Sequence, residues 1–247
     1  MFVEYGELST KLYHLTKPPG TSVGGDIDYY YRQLKNVKGK ILEAGVGTGR
    51  VMIPFLKKGL HIEGVDLSKE MLQQCKTNLA KEGFKANLFQ GDLTALNLAN
   101  KYEAIIMPTG SFCLLHKVKV NEVLRSFYNH LETNGKLIVD IELPSWFIPN
   151  QVAVKHYMTD EKTGILFTST AKDMDWHSQK TSYIHRYELV DSGGIKKTEI
   201  SHFVLYWYGI DEFTLLLEKC GYSEIKYEAG YGKDSGASLI TFFAERR

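Results

Sequence analysis

The sequence predicts a doubly wound α/β fold, in which helices cover both faces of a mostly parallel sheet. From residue 40 to residue 143, short apolar runs alternate with amphipathic helical stretches, and this alternation is typical of βαβ units. Between Val152 and Tyr208 apolar and polar residues alternate instead, with turn-rich breaks at 160–164, 177–180 and 191–194. We therefore predict an inserted antiparallel β meander of four strands within the parallel fold.

The elements before the meander are predicted from their length and their flanking residues. Ser68 is a typical helix N-cap, and Gly83 follows the end of that helix. The Asn134-Gly135 turn precedes the last predicted strand before the meander. The predicted strands cover residues 40–44, 61–65, 86–89, 102–107 and 136–143. The predicted helices cover residues 49–58, 68–82 and 117–132.

The two ends of the chain complete the predicted domain organisation. A helix at 211–219 and strands at 224–228 and 238–244 follow the meander. The first 39 residues are rich in tyrosine and contain one Pro18-Pro19-Gly20 break, so we expect two short helices that serve either as a lid or as packing against the sheet. The predicted units are an N-terminal helical lid (1–39), an α/β domain (40–151 and 209–247) and an inserted antiparallel sheet (152–208).

Composition and charge narrow the possible partners. The formal net charge is +1, which supplies no broad electrostatic field for nucleic acid or an anionic membrane. Cys75, Cys113 and Cys220 lie far apart, so neither a disulfide framework nor a structural zinc site is expected, and this cysteine usage suits the cytoplasm. The first seven residues contain acids where a signal peptide needs basic and apolar residues, and no apolar run has membrane-spanning length.

The strongest functional motif is the glycine-rich turn after the first strand. It runs from Glu43 to Arg50 and has the pattern E-x-G-x-G-x-G. A nicotinamide-binding turn would place glycine where Arg50 stands. An acid beside a pyrophosphate is repelled, whereas an acid beside an ammonium group is attracted. The motif therefore favours S-adenosylmethionine, which carries an ammonium and a sulfonium but no phosphate.

Two further acids stand at the ends of the next two strands. Asp66 can accept hydrogen bonds from both hydroxyls of an adenosine ribose. Asp92 can accept one from the adenine amino group, while Leu67, Met71 and Leu93 contact the ring. Each acid alone could be a solvated loop residue or a helix cap. Acids at three successive strand ends, on the edge where such sheets bind ligands, favour a binding site.

On these motifs the sequence resembles the class I S-adenosylmethionine-dependent methyltransferases, from about residue 39 to 143 and in the closing strands. The resemblance implies a Rossmann-like domain with a seven-stranded sheet whose last strand is antiparallel. It also implies a cofactor site at the glycine-rich turn, the ends of strands two to four and the start of the second helix. These positions are Glu43, Ala44, Gly45, Gly47, Thr48, Gly49, Arg50, Asp66, Leu67, Met71, Gly91, Asp92, Leu93, Met107, Pro108 and Thr109.

A narrower resemblance is to bacterial aminosugar N-methyltransferases and related small-molecule enzymes. It rests on the spacing of Tyr5 and Tyr13, the Gly110-Ser111-Phe112 turn and the late meander. It implies that Tyr5 faces the acceptor as a catalytic candidate, that Tyr13 covers the cofactor, and that the meander pairs subunits as a homodimer. Some of those enzymes carry a histidine where this chain has Leu114, so His116 is the second catalytic candidate, with a helix cap as its alternative role.

The turn after the fourth strand argues against several methyltransferase subclasses. It lacks the Asn/Asp-Pro-Pro-aromatic motif of amino-directed DNA enzymes, the Pro-Cys nucleophile of cytosine-C5 enzymes and the aspartate of metal-dependent catechol enzymes. We therefore expect no metal and no nucleic-acid substrate. The predicted function is in-line methyl transfer from S-adenosylmethionine to a nitrogen or oxygen of a small molecule. A catalytically silent cofactor-binding module and a nicotinamide-dependent oxidoreductase remain alternatives.

Overall fold

The computed structural model describes residues 5–247 and contains two sheets. The larger sheet has seven strands, in the spatial order β10-β11-β5-β4-β1-β2-β3. Its strands are β1 (Ile41–Ala44), β2 (Ile62–Asp66), β3 (Leu88–Gln90), β4 (Tyr102–Met107), β5 (Leu131–Glu142), β10 (Tyr222–Ala229) and β11 (Leu239–Arg246). The smaller sheet is β6 (Val152–Met158), β7 (Gly164–Asp175), β8 (Lys180–Asp191) and β9 (Gly194–Tyr206).

The larger sheet is mostly parallel, and helices pack on both of its faces. The strand pairs β1–β2, β1–β4, β2–β3 and β4–β5 are parallel, whereas β11 is antiparallel to both β10 and β5. The helices of the described chain are α1 (Glu7–Thr16), α2 (Asp26–Leu34), α3 (Met52–Lys57), α4 (Lys69–Lys81), α5 (Val120–His130) and α6 (Ile210–Lys219). Two apolar layers bury the sheet, one beneath α5 and α6 and the other beneath α2, α3 and α4. The predicted doubly wound fold is confirmed.

Some predicted boundaries are wrong for local reasons. Helix α3 begins at Met52 and not at residue 49, because Gly45, Gly47 and Gly49 all adopt positive φ angles that a right-handed helix does not contain. Strand β5 begins earlier than predicted, at Leu131, and has an irregular register opposite β4 near the Asn134-Gly135 turn. The helix predicted at 117–132 is α5 preceded by a short 3₁₀ turn, Lys117–Lys119.

The meander forms the predicted four-stranded antiparallel sheet, and its two faces differ. Its inner face packs against α1, where Leu8 and Leu12 contact Ile165 and Tyr187. The strand register places Val154, Thr168, Arg186 and Ile200 together on the opposite face. One face is therefore covered by the chain's own helix, and the outer face is not.

Both predicted N-terminal helices are present. Helix α1 receives its N-terminal cap from the meander, because the backbone N–H groups of Leu8 and Ser9 donate to the Glu199 carboxylate at 2.8 and 3.2 Å. Helix α2 packs on the larger sheet through Tyr29 and Tyr30, which are both buried. Among residues 5–247, no helix has the length and apolar character needed to cross a membrane.

Candidate active site

A cleft of about 500 Å³ opens at the carboxyl ends of β1, β2 and β4. This volume lies within the roughly 300–1,000 Å³ range of small-molecule sites. Its edge is the one at which doubly wound sheets bind ligands. The lining residues are Tyr5, Tyr13, Gly45, Gly47, Asp66, Leu67, Ser68, Met71, Asp92, Leu93, Thr94, Met107, Ser111, Leu114, Leu115, His116 and Lys119.

The glycine-rich turn lets backbone approach the cleft closely. Gly45 and Gly47 have φ angles of 74° and 54°, which side chains other than glycine rarely adopt. A Cβ atom on Gly45 would lie 3.7 Å from Met107 and 3.9 Å from Ser111, which line the same cleft. The turn is glycine-rich here because its backbone is left-handed and because side chains would narrow the cleft.

Asp66 ends β2 and is oriented by backbone donors. The Gly47 N–H donates to Oδ2 at 2.8 Å, and the Ser68 N–H donates to Oδ1 at 2.9 Å. Burial raises the pKa of Asp66, and these backbone hydrogen bonds oppose the rise. A carboxylate oxygen has more than one acceptor site, so the fixed carboxylate can still accept hydrogen bonds from a bound ligand.

The far end of the cleft is apolar with one acid at its rim. Leu67 is 69% exposed although it is a large apolar residue, and it lines the cleft together with the buried Met71 and Leu93. Asp92 caps the 3₁₀ turn Leu93–Ala95 by accepting a hydrogen bond from the Thr94 N–H at 2.8 Å. An exposed leucine and two buried apolar residues on the same cleft suit a flat heteroaromatic ring.

Glu43 lies behind the glycine-rich turn and is not part of the cleft wall. Its side chain is buried, and its Oε2 atom has no hydrogen-bond partner within residues 5–247. Burial raises the pKa of Glu43 to about 8, although Arg50 lies near enough to oppose the rise. An unpaired, buried carboxyl oxygen beside a ligand cleft is costly unless a donor reaches it.

Arg50 does not line the cleft, contrary to the sequence-based assignment. Its guanidinium forms an ion pair with the buried Asp26 at 2.6 Å and donates to the Thr21 carbonyl at 2.8 Å. It also donates to Thr109 Oγ1 at 3.2 Å. Arg50 therefore joins the start of α2 to the turn after β4 behind the cofactor cleft.

Several other predicted positions also lie outside the cleft wall. Ala44 and Thr48 are fully buried, and a Cβ atom on Gly49 would lie 2.8 Å from Cys75 Sγ, so this glycine is required for packing against α4. The positions among the predicted cofactor residues that do not line the cleft are Glu43, Ala44, Thr48, Gly49, Arg50, Gly91, Pro108 and Thr109. The remaining predicted cofactor residues and both catalytic candidates line it.

Asp140 supports the turn after β4 from behind the cleft, and the sequence analysis did not identify it. It lies fully buried on β5 and accepts hydrogen bonds from Tyr30 Oη at 2.8 Å and Tyr231 Oη at 2.9 Å. It also accepts one from the Thr109 N–H at 2.6 Å, and Thr109 has a strained φ angle of 58°. Burial raises the pKa of Asp140 to about 6. The strained turn beside Met107 is thus held by a carboxylate 31 residues away in the chain.

The two N-terminal tyrosines lie together on the cleft. The rings of Tyr5 and Tyr13 meet edge to face with centroids 6.3 Å apart. Burial raises the pKa of Tyr13, and the neighbouring Arg50 guanidinium opposes this rise. The backbone carbonyl of Tyr5 accepts a hydrogen bond from Ser68 Oγ at 3.0 Å, which fixes the segment before α1 to the N-cap of α4.

His116 lines the cleft and also caps the 3₁₀ turn that follows it. Its Nδ1 atom accepts a hydrogen bond from the Val118 N–H at 3.4 Å, and its ring lies 5.1 Å from the ring of Tyr206. An Nδ1 that accepts this bond leaves the proton of the neutral ring on Nε2. Nε2 of this tautomer is a donor, so the geometry does not favour His116 as a general base.

Six lining residues were not among the predicted site residues. They are Ser68, Thr94, Ser111, Leu114, Leu115 and Lys119. Two of them follow predicted residues directly, and four belong to the segment 111–119 after β4. The sequence signals for this second group are the Gly110-Ser111-Phe112 turn and the alignment of Leu114 with a histidine of related enzymes. Among residues 5–247, no three metal-ligating side chains are grouped as an ion site.

Comparison with known proteins agrees with this geometry. Residues 41–135 match the family model described as a methyltransferase domain. The chain therefore carries a methyltransferase domain. The match contains the glycine-rich turn, Asp66, Asp92 and the turn after β4. The predicted recognition of a methyltransferase, and hence of an enzyme, is confirmed.

Individual relatives extend the likeness of the methyltransferase domain beyond residues 41–135. A methyltransferase of Geobacillus sp. (strain WCH70) is 23% identical over 224 residues, which are 84% of each chain. The glycine/sarcosine N-methyltransferase of Halorhodospira halochloris is 33% identical over 117 residues, 46% of this chain and 44% of that protein. The solved sugar N-methyltransferase KedS8 from Streptoalloteichus sp. has the same fold, with a TM-score of 0.79, 17% identity and coverage of 100% of this chain and 96% of that one.

Proposed function

We propose that the protein transfers a methyl group from S-adenosylmethionine to a nitrogen or oxygen atom of a small molecule. The observation that carries the proposal is the cleft itself, which is lined by the glycine-rich turn, Asp66, Leu67 and Met71. Tyr5 and Tyr13 lie on the same cleft and restrict its opening.

The residues of the cleft, together with Glu43 behind its glycine-rich turn, fit this cofactor. The unpaired Oε2 of Glu43 can accept a hydrogen bond from an ammonium group next to the glycine-rich turn. Asp66 is positioned for ribose hydroxyls, and Asp92 with Leu67 and Leu93 for an adenine ring. When bound, S-adenosylmethionine supplies a methyl group that its sulfonium has already activated.

The chain's own residues then have to orient the reactants and exclude water. Orientation alone can contribute roughly 7–11 kcal/mol to such a displacement. The turn after β4 carries Met107 into the cleft, and its strained Thr109 is held by Asp140 and Arg50. Tyr5 and Tyr13 place aromatic surface over the same region, where a cation is stabilised and water is kept out.

Two observations favour a small molecule as the methyl acceptor, with a nitrogen or oxygen as the methylated atom. The cleft is lined by α1 and the segment 111–119 as well as by the larger sheet, and its volume of about 500 Å³ suits a compact molecule rather than a polymer. Two of the similar proteins are named for small nitrogen acceptors, one for glycine and sarcosine and one for a sugar. Neither observation depends on a general base. An acceptor that is already deprotonated at the working pH does not need one.

Calorimetry and a product assay test the proposal against its two alternatives. We expect S-adenosylmethionine and S-adenosylhomocysteine to bind and NAD⁺ not to bind. We also expect S-adenosylhomocysteine to form when a panel of small amines and alcohols is added. Tighter binding of NAD⁺ would favour an oxidoreductase. Cofactor binding without product across the whole panel and a metabolite extract would favour a silent binding module.

A further inference from the structure

A second, smaller cavity lies on the other side of the turn that closes the cleft. It provides about 20 Å³ of space, enough for one water-sized group. Gly110 and Cys113 face this cavity, whereas Ser111 and Leu114 of the same turn face the cleft. The two spaces are thus separated by a single turn of chain next to Met107.

The polar group of the small cavity is the carboxylate of Glu142, the last residue of β5. Its Oε1 atom accepts hydrogen bonds from Trp146 Nε1 at 3.2 Å and Ser238 Oγ at 3.5 Å. Its Oε2 atom accepts none within residues 5–247 and lies 3.4 Å from where a Cβ atom on Gly110 would stand. No lysine, arginine or histidine of the described chain forms an ion pair with Glu142.

Aromatic rings surround this carboxylate. Trp146, Tyr206 and Trp207 line the cavity, and Tyr183 stacks on Trp146 with ring centroids 6.0 Å apart and an interplanar angle of 23°. Burial raises the pKa of Glu142, which shows that the carboxylate lacks compensating charge where it stands. A carboxylate with no positive charge beside it attracts a cation by Coulomb interaction.

We propose that this cavity holds a primary ammonium group of the methyl acceptor, with Glu142 as the residue that selects for it. The acceptor is therefore a small molecule that carries a cationic amine in addition to the atom that is methylated. An ammonium nitrogen has no free electron pair, so the group held by Glu142 serves recognition, and the accepting atom of the same molecule has to reach the cleft around the Gly110–Leu114 turn. This inference rests on the proposed function for the identity of the cleft.

The test uses n-propylammonium chloride as probe and the full-length chain. Trp146 donates its indole N–H to Glu142, so its ¹⁵N-indole NMR signal reports on the cavity. We expect a saturable shift of this signal with n-propylammonium and none with 1-propanol at matched ionic strength. The Glu142→Gln variant keeps an acceptor for Trp146 but loses the charge, and it should weaken probe binding about tenfold or more. Glu132→Gln, an exposed change on the same strand, should leave it unchanged.

Three results would overturn the subsite. They are an absent or non-saturable shift with n-propylammonium, an equal shift with 1-propanol, or unchanged affinity in Glu142→Gln. The propanol comparison is made in the unmodified protein, so it stands even if the variant folds poorly. S-adenosylhomocysteine affinity is measured in parallel and should be the same in both proteins. If the unmodified protein does not bind S-adenosylhomocysteine, the proposed function is contradicted. The titration with n-propylammonium still decides whether the subsite exists.

Discussion

Glu43 lies behind the glycine-rich turn of the candidate cofactor cleft, in an unfavourable environment. Its buried Oε2 has no partner among the described residues, and burial raises its pKa to about 8. At pH 7 the free protein therefore holds this carboxyl mostly in its neutral form. An ammonium group placed next to it would favour the charged form and lower that pKa.

This argument predicts that binding of S-adenosylhomocysteine releases most of one proton from Glu43 at pH 7. Affinity should accordingly rise as the pH increases toward 8 and level off above it, because the proton no longer has to leave. Calorimetry in two buffers of different ionisation enthalpy measures the release. Glu43→Gln should abolish this component, and equal proton release in the variant would assign the titration to another group.

Asp66 gives a second prediction at the same scale. Its carboxylate is oriented by Gly47 and Ser68, so removing it takes away a prepositioned acceptor for ribose hydroxyls. We expect Asp66→Ala to weaken cofactor binding by about 1.5–3 kcal/mol. Asp28→Ala on the exposed face of α2 is the matched control. Equal affinities of all three proteins in calorimetry would remove Asp66 from the site.

Individual residues also show what sequence reasoning could and could not reach. Gly45, Gly47 and Asp66 were assigned from a local pattern, and the structure places them on the cleft. Arg50 belongs to the same pattern, but it lies behind the cleft because Asp26 pairs with it. Asp140 was missed, because its hydrogen bonds come from four separate parts of the chain that no local pattern connects.

Helix α1 shows the same limit at the scale of elements. The sequence predicts that this helix exists, but it does not predict the elements against which the helix packs. The helix lies between the meander, through Leu8 and Leu12, and helix α4, where His14 Nδ1 lies 3.4 Å from Asn78 Nδ2. The Glu199 carboxylate that caps it is about 190 residues away in the chain. Boundaries such as the start of α3 were misplaced because positive φ angles at glycines are set by the folded turn.

The cap makes the lid hypothesis testable. Glu199→Ala removes the acceptor for three donors of the first turn of α1 and should destabilise its docking by about 0.5–2 kcal/mol. We expect faster proteolysis near residues 16–25, slowed when S-adenosylhomocysteine is added because Tyr13 then closes on the ligand. Glu161→Ala, in the exposed β6–β7 turn, should leave cleavage unchanged.

If cleavage near residues 16–25 is unaffected by ligand in both proteins, and Tyr13→Ala keeps full cofactor affinity, then α1 is a packing element. The structure permits this outcome, since α1 buries Leu8 and Leu12 against the meander with Tyr13 directed to the cleft. The lid and packing roles therefore differ in ligand dependence and not in the position of the helix.

At the scale of the whole molecule, α1 packs between the meander and α4 and thereby gives the meander one covered face. The opposite face exposes apolar side chains from two strands, with Val152, Val154 and Met158 on β6 and Ile200 on β9. β6 is also an edge strand. Exposed apolar residues on an edge strand favour association, and monomeric proteins usually cover or charge such an edge. The sequence alternation predicted this sheet, but only the register shows which side remains uncovered.

The uncovered face predicts a homodimer whose subunits meet through the outer side of the meander. Val154 is 59% exposed at the centre of β6, so Val154→Lys places a charge in the middle of such an interface, where an unpaired buried charge is strongly unfavourable. Light scattering at micromolar concentration should give the dimer mass for the unmodified protein and the monomer mass for the variant. Leu215→Lys, an equally exposed apolar position on α6, should remain dimeric. A monomer in the unmodified protein would contradict the predicted dimer. A dimer that survives Val154→Lys would place the subunit contact elsewhere, because the lysine would then stand in solvent.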